Sequence, residues 1–447
     1  MSAHDGVVVA IFALAYALIA ARRLAILPIG RPAGALLGAV AMVAVGALTP
    51  DESFAAIDHD TLILLFGVML LSAYLDRAGL FLRLAGALLR RFRRPRGLLV
   101  GVSLCAALLS AFLVNDTVCL FLTPLVVRLC VTAGLPLGPY LIALATSANL
   151  GSAATLVGNP QNMIIGHQSG LAFVDFLVAA LPAVVVGLAA NLGLLLAVYG
   201  RRLPSRPLPA PEAVTEPWSR EAKVAALITA AILAGFFAGL HPGYTVLTGV
   251  LALMLRDRGD PQAIFARVDW TLLVFFAGLF IVVAGLASTG LVDAAFAGAR
   301  GALDLGEPAG VAAFTGLCTL GSNLVSNVPL VLMVGPLVGG LADGPTPWVM
   351  LGFVSTVAGN LTLLGSVANI IVAEGARDHY ELGFFEYLRF GALSTAVGSR
   401  SGSPRSTSSE PASGDPNCAS ASDLERREAR RRAGPRSSPP WRARDAL

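Results

Sequence analysis

The chain has 447 residues, of which 55% are hydrophobic and 13% charged, against about a quarter charged in a soluble domain. Its mean hydropathy is +0.73, and long apolar runs recur from Val7 to Val397, many near the roughly 20 residues needed to cross a bilayer. It is therefore a polytopic membrane protein, with little room for a soluble enzyme domain, and no nucleic-acid partner is expected. The formal charge of +4 is misleading, because the basic residues are segregated along the chain. The five cysteines (Cys105, Cys119, Cys130, Cys318 and Cys418) form no metal spacing and read as free thiols.

The first apolar run has no basic region ahead of it and is followed by Arg22 and Arg23. It reads as a first membrane helix and not as a cleaved signal peptide. The small residues of Ala33–Ala39 fit close helix packing. His59, between Asp58 and Asp60, reads as a residue of an external loop. The segment Thr61–Ala78 is a membrane helix. Phe81–Arg94, "FLRLAGALLRRFRR", has apolar residues at helical spacing with Arg between them, which predicts an interfacial helix.

Gly97–Thr132 is too long for one helix and carries polar "VNDT" in its middle. The spacing predicts a re-entrant hairpin with Asn115, Asp116 and Thr117 at its tip. Asp116 is the one acid deep in this hairpin. An intramembrane carboxylate is costly and is a functional candidate by default. It reads either as a proton or Na⁺ site or as a hairpin cap bonded to nearby N–H groups.

Residues 140–166 run "YLIALATSANLGSAATLVGNPQNMIIG". An apolar half-helix is expected to end near Ser147, with irregular polar backbone following to Asn162. Ser147, Asn149, Gly151, Ser152, Thr155, Gly158, Asn159 and Asn162 are the candidate site residues here. Irregular backbone at membrane depth is tolerated only where protein buries it or it lines a wet cavity. Exposed carbonyls and Ser, Thr and Asn oxygens suit hard cations such as Na⁺, and half-helix N-termini suit anions.

The chain then matches itself. "FAAIDHDTLILLFG" from Phe54 pairs with "FARVDWTLLVFFAG" from Phe265, an offset of 211 that also pairs Gly79 with Gly290, Asn149 with Asn360 and Phe173 with Phe384. The partner hairpin is Gly310–Gly340, with Ser326 and Asn327 at its tip; an offset of 212 pairs Asn115 with Asn327 and Pro124 with Pro336. The partner break is "STVAGNLTLLGSVANIIVAE", Ser355–Glu374, with Asn360, Thr362, Gly365, Ser366 and Asn369. Glu374 is a weaker site candidate, placed at the cytoplasmic end of its helix. A Na⁺ ion would be held by Asn115, Asp116, Asn149, Ser326, Asn327 and Asn360.

Arg and Lys set the orientation. They cluster at Arg22–Arg31, at Arg77–Arg96 (seven Arg), at Arg201–Lys223 and at Arg256–Arg267, whereas the intervening connections are acidic or neutral. The basic clusters are expected in the cytoplasm and the N-terminus outside. The Thr61–Ala78 helix then runs inward and its partner Thr271–Thr289 runs outward. The expected fold is all-α: residues 1–200 and 222–398 form two inverted-topology repeats, each with a re-entrant hairpin and a broken transmembrane helix, joined by a Pro-rich cytoplasmic linker over 201–221. Broken segments at corresponding places in two inverted halves point to a transporter site.

These residues resemble the ion transporter superfamily, which includes citrate transporters, divalent-anion/sodium symporters, arsenite permeases and a sodium/proton antiporter branch. "LVNDTVCLFLTPLV", "TSANLGSAATLVGNPQN", "SNLVSNVPLVLMVGPL" and "AGNLTLLGSVANIIVAE" carry the resemblance, over about residues 1–398. In sodium-coupled anion members the hairpin tips carry Ser-Asn-Thr and bind Na⁺ and a substrate carboxylate. Here the tips read Asn115-Asp116-Thr117 and Ser326-Asn327-Val328. The resemblance implies a homodimer in the plasma membrane and an elevator-like motion of hairpins and broken helices against a scaffold. The expected activity is secondary transport of a small anion or oxyanion, of the citrate or dicarboxylate type, coupled to Na⁺ or H⁺. Arsenite efflux and Na⁺/H⁺ exchange are the alternatives. No nucleophile–base pair or metal set supports an enzyme.

Composition changes after Gly398. Residues 399–447 are rich in Ser, Pro and Arg, with ten Arg, and are expected to be disordered. The repeat requires Phe384 onward to mirror Phe173–Tyr199, yet only about fifteen apolar residues remain, short for a span. The final helix is expected to be truncated, either by a frameshift or beside a natural cytoplasmic tail.

Overall fold

In the computed structural model, residues 2–20, 30–208, 218–257 and 259–401 are described. Cys418 and the Arg-rich tail lie outside them, as does much of the linker. The described residues are helical, with no strand among them. The first half holds α1 (Ala3–Ala20), α2 (Arg31–Ala44), α3 (Pro50–Ala55), α4 (His59–Arg77), α5 (Leu80–Arg91), α6 (Pro95–Phe112), α7 (Asn115–Ala133), α8 (Leu137–Ser152), α9 (Pro160–Ser169) and α10 (Phe173–Tyr199). The second holds α11 (Arg220–Phe237), α12 (Pro242–Asp257), α13 (Pro261–Phe265), α14 (Trp270–Ala287), α15 (Leu291–Ala299), α16 (Pro308–Val325), α17 (Asn327–Val338), α18 (Thr346–Ala358), α19 (Val367–Gly375) and α20 (Phe384–Ser401). Among the described residues six helices are long and apolar enough to span a membrane: α4, α6, α7, α10, α14 and α16.

The same local chemistry starts equivalent helices in both halves. Asp58 caps α4 by accepting the Thr61 N–H, and Asp269 caps α14 by accepting the Leu272 N–H. Such a side chain satisfies a backbone donor that has no helical partner. Gly79 and Gly290, at φ 70° and 67°, turn the chain from those helices into α5 and α15. A left-handed residue there favours glycine, which has no Cβ to clash. Pro124 and Pro336 both lie inside the second hairpin arm.

The packing follows the same order. Helix α2 packs on α14, and α12 on α4. Helix α7 packs on α19, and α17 on α9. Helix α6 packs on α8, and α16 on α18. Thus the first four pairs join the halves, and α6 on α8 and α16 on α18 repeat one contact within each half. Helix α8 and the break behind it are the centre: residues 138 to 165 are buried without interruption.

Three details differ from the sequence expectation. Helix α8 does not end near Ser147 but runs to Ser152. The Ser152 hydroxyl donates back to the Asn149 carbonyl at 2.8 Å, so a polar residue completes the last turn in a buried setting. The hairpin arms α6 and α7 have 18 and 19 residues, about 27 Å each, with the turn at Leu113 and Val114. The first tip nevertheless ends inside the protein, with Asn115 4% and Asp116 9% exposed. Helix α20 forms over 18 residues against 27 for α10, and the two pack together. Tyr387 and Phe390 of α20 are fully buried, so side-chain packing holds this helix despite its short apolar run.

Candidate functional site

The polar centre starts from the two helix breaks. Helix α9 begins at Pro160, and its N-cap Asn159 accepts the Asn162 N–H at 2.8 Å. The Asn162 amide then donates to the carbonyls of Ser152, at 3.3 Å, and Thr155, at 2.9 Å. These carbonyls belong to the irregular stretch, so one side chain supplies donors that the broken helix lacks. Asn369 does the same in the second half. Its amide donates to the carbonyls of Gly359, at 2.7 Å, and Thr362, at 3.1 Å.

These bonds match at an offset of 207, not 211. The bonded residues keep the same spacing in both breaks, so the whole break is shifted by four residues against the 211 offset and the sequence pairing of Asn149 with Asn360 is not the structural one. Asn149 corresponds to Thr356, and Asn159 to Ser366. The cross-half bonds agree. The Ser366 hydroxyl donates to Asn149 Oδ1 at 3.2 Å, and Asn159 Nδ2 donates to the Thr356 hydroxyl at 3.3 Å. Gln161 Nε2 also donates to that hydroxyl, at 3.0 Å.

Asn149 is the hub. Its Oδ1 accepts from Asn115 Nδ2 of the first tip at 2.9 Å, and its Nδ2 donates to Asn360 Oδ1 at 2.8 Å and Asn369 Oδ1 at 3.0 Å. The first tip is further fixed by the Asn115 N–H on the Gly158 carbonyl, at 2.9 Å, and by the Thr155 hydroxyl, which donates to the Ala111 carbonyl. At the second tip the Ser322 hydroxyl donates to Asn327 Oδ1, at 2.9 Å, and lies 3.2 Å from the Ser355 carbonyl. Asn323 donates to the Ala358 carbonyl at 3.0 Å.

Most of the residues singled out in the sequence meet here: Asn115, Asn149, Ser152, Thr155, Asn159, Asn162, Asn327, Asn360, Ser366 and Asn369 are all buried. Thr117 and Thr362 are half-buried at the edge. Ser326 stands apart: it is exposed, at φ 75° and ψ 162° between α16 and α17. Ser147 bonds outward, accepting with Thr146 from the Asn191 amide, while Asn191 Oδ1 accepts from Ser394. Gly151 and Gly158 serve close approach: a Cβ would lie 2.1 Å from the Ala107 carbonyl oxygen or 2.2 Å from that of Ser152. Sequence reasoning missed Thr356, Gln161, Ser322 and Asn191. Thr356, Gln161 and Ser322 lie inside the quoted stretches; Asn191 is a single polar residue in an apolar run, where a packing role and a site role look alike.

The electrostatics favour a ligand with both donors and charge to be shielded. The N-termini of α7, α9 and α19 reach this centre and that of α17 starts at the second tip, each with partial positive charge. Neither Val114 nor Ser326 provides a side-chain cap for its tip helix. Three buried oxygens, Asn115 Oδ1, Asn162 Oδ1 and Ser110 Oγ, have no hydrogen-bond partner. Leaving such groups unmet costs about 1–3 kcal/mol each. Amide and hydroxyl oxygens of this kind are hard-cation ligands, so the residues present fit Na⁺.

Known proteins resemble this chain in sequence. The family model described as citrate transporter (CitMHS) matches residues 16–358. The silicon efflux transporter LSI3 of Oryza sativa subsp. japonica is 35% identical, over 85% of this chain and 92% of its own. A transporter named arsB in Dictyostelium discoideum is 32% identical, over 83% of this chain and 86% of its own. Among solved structures, the Alcanivorax borkumensis YdaH transporter aligns over 90% of this chain and 98% of its own, with 15% identity and a TM-score of 0.48. With a family model matching most of its length and near-full-length relatives above 30% identity, the chain belongs to the citrate transporter family of membrane transporters.

Proposed function

We propose that this chain is a secondary active transporter that moves a small oxyanion or its neutral oxyacid across the plasma membrane by elevator-like alternating access. One observation carries the reading: the first hairpin tip and both helix breaks, drawn from the two halves, converge in a single buried cluster of amides and hydroxyls, and the second hairpin bonds the end of α18 beside it through Ser322 and Asn323. Each half crosses an odd number of times if α6 and α7 return to the same side and α8 and α9 count as one span. The second half then enters from the opposite side, which is the inverted repeat of many secondary transporters. Hairpins and broken helices move together, as a homodimer's two transport units, against α1–α4 and α11–α14. Coupling is to Na⁺ or H⁺. Asn115, Asp116 and Asn327 would hold Na⁺, whose charge would offset the Asp116 carboxylate.

Two observations favour a neutral oxyacid over a dicarboxylate. Asp116 is buried in the tip, and a buried carboxylate repels an anion unless a cation neutralises it. One relative is named for silicon efflux and another arsB. Export of a metalloid oxyacid is therefore the preferred form, with citrate-type symport as the second.

Thermal melts of the purified protein with arsenite, silicate, sulfate, succinate and citrate, each in Na⁺ and in choline, separate these forms. A ligand at 100 times its dissociation constant stabilises the folded state by about 2.7 kcal/mol. A shift with arsenite or silicate supports the oxyacid. A shift with citrate or succinate only in Na⁺ replaces it with the symporter. Absence of gradient-driven flux of any of these in proteoliposomes rejects the transporter mechanism as stated.

A further inference from the structure

A second site lies far from the polar centre, where α4 ends, α11 begins and α12 ends. A cavity of about 790 Å³ opens there, and Arg77, Arg220, Ala225, Ala252, Leu255 and Arg256 are among its lining residues. We propose that it holds the phosphate headgroup of an anionic phospholipid, with the acyl chains lying along α12.

The charges point to an anion. Three Arg line the cavity against Glu221 and Asp257, so the lining is net positive. Arg77 is committed to Asp257, with Nη1 2.7 Å from Oδ2, and nearby Arg267 is committed to Asp76 at 2.8 Å. The remaining Arg220 and Arg256, both exposed, face the cavity beside Glu221, whose carboxylate feels both charges, which leaves one net positive charge there. A guanidinium presents a planar fork that matches phosphate oxygens.

The surroundings point to a lipid and not to a soluble anion. Leu255 lines the cavity yet is 81% exposed, and Leu251, one turn earlier on the same face, is 56% exposed. On α11, Leu227 is 70% exposed. These apolar side chains run from the cavity rim along the bilayer-facing surface. Trp218, two residues before Arg220, is 47% exposed, and a tryptophan of this kind sits at headgroup depth. The cavity lies at the charged end of α4, which is long and apolar enough to span a membrane, and basic pockets between membrane helices recognise anionic headgroups.

The test is native mass spectrometry of the delipidated full chain with dioctanoyl phosphatidylglycerol or dioctanoyl phosphatidylcholine. The wild type is expected to retain phosphatidylglycerol at least tenfold more tightly than phosphatidylcholine. R220Q/R256Q should lose that preference while keeping its lipid-free melting temperature. A252W, which fills the cavity and keeps both Arg, should lose it as well and serves if the double variant does not fold. Equal retention of the two lipids, or full preference in both variants, overturns the proposal. Competition by millimolar inorganic phosphate assigns the cavity to a soluble anion and overturns the lipid. Loss of lipid binding on dimer formation assigns it to a second copy of the chain, with the same consequence.

Discussion

Asn149 donates to Asn360 across the two halves of the chain, Nδ2 to Oδ1 at 2.8 Å, 211 residues apart in sequence. The two residues belong to corresponding motifs but not to corresponding places. Asn149 lies in the last turn of α8, and Asn360 lies beyond the end of α18. The true counterpart of Asn149 is Thr356, and each receives the N-cap residue of the other half's second helix piece. The centre is thus a two-fold arrangement of helix ends carrying an asymmetric set of side chains.

Asn149 makes four side-chain bonds, so its truncation leaves partners on both halves unmet. Asn149→Ala is expected to cost about 2–4 kcal/mol, from several buried groups losing a partner at about 1–3 kcal/mol each. Transport should be lost. Thr356→Val keeps the shape but removes the acceptor of Asn159 and Gln161, and about 1–3 kcal/mol is expected. Detergent melts of both variants check the ranking; a neutral Asn149→Ala would remove the hub.

Asp116 is 9% exposed at the start of α7. Asp116→Asn keeps the volume and one acceptor oxygen while deleting the charge. Transport is expected to fall at least tenfold or to lose its dependence on the Na⁺ or proton gradient, with the fold retained. Flux into proteoliposomes under imposed gradients measures this. Unchanged gradient dependence means that Asp116 is a cap and the coupling ion binds elsewhere.

The glycines separate packing from composition. A Cβ at Gly151 would fall 2.1 Å from the Ala107 carbonyl oxygen, whereas one at Gly193 on α10 meets nothing within 4 Å. Gly151→Ala must push α8 away from α6 and is expected to cost about 1–3 kcal/mol. Gly193→Ala should be neutral or stabilise by up to about 1 kcal/mol through helix propensity. Thermal unfolding of the pair tests the contact directly.

Much of this was legible before any coordinates. Polar residues in a lipid-soluble chain are costly, so "VNDT", "GNPQN" and "AGN" marked tips and breaks by cost alone. The 211 offset marked the halves, because caps such as Asp58 and Asp269 and turns such as Gly79 and Gly290 repeat with the geometry they serve. The four-residue shift of the breaks against the 211 offset was not legible. Irregular backbone has no period, so only the bonds of Asn162 and Asn369 reveal the register. Helix lengths were misjudged for the same reason: Ser152 looks like a breaker, yet it completes α8 by bonding its own turn.

Helix α20 tests whether buried surface can hold a short span. Its Phe390 is 1% exposed, lies with its ring tilted against Tyr199 of α10 at 5.7 Å between centroids and sits one turn from fully buried Tyr387. Ser394 continues the same face and donates to Asn191 Oδ1 at 2.8 Å. Apolar burial and one buried hydrogen bond therefore fix this face of α20 against α10. Phe390→Ala is expected to destabilise by about 3–5 kcal/mol, the range for a buried aromatic truncated to alanine. The equivalent truncation at Phe385, 71% exposed on the same helix, should change the melt little. Because the two positions differ in burial but share a helix, equal and small effects would mean that α20 is dispensable to the folded core.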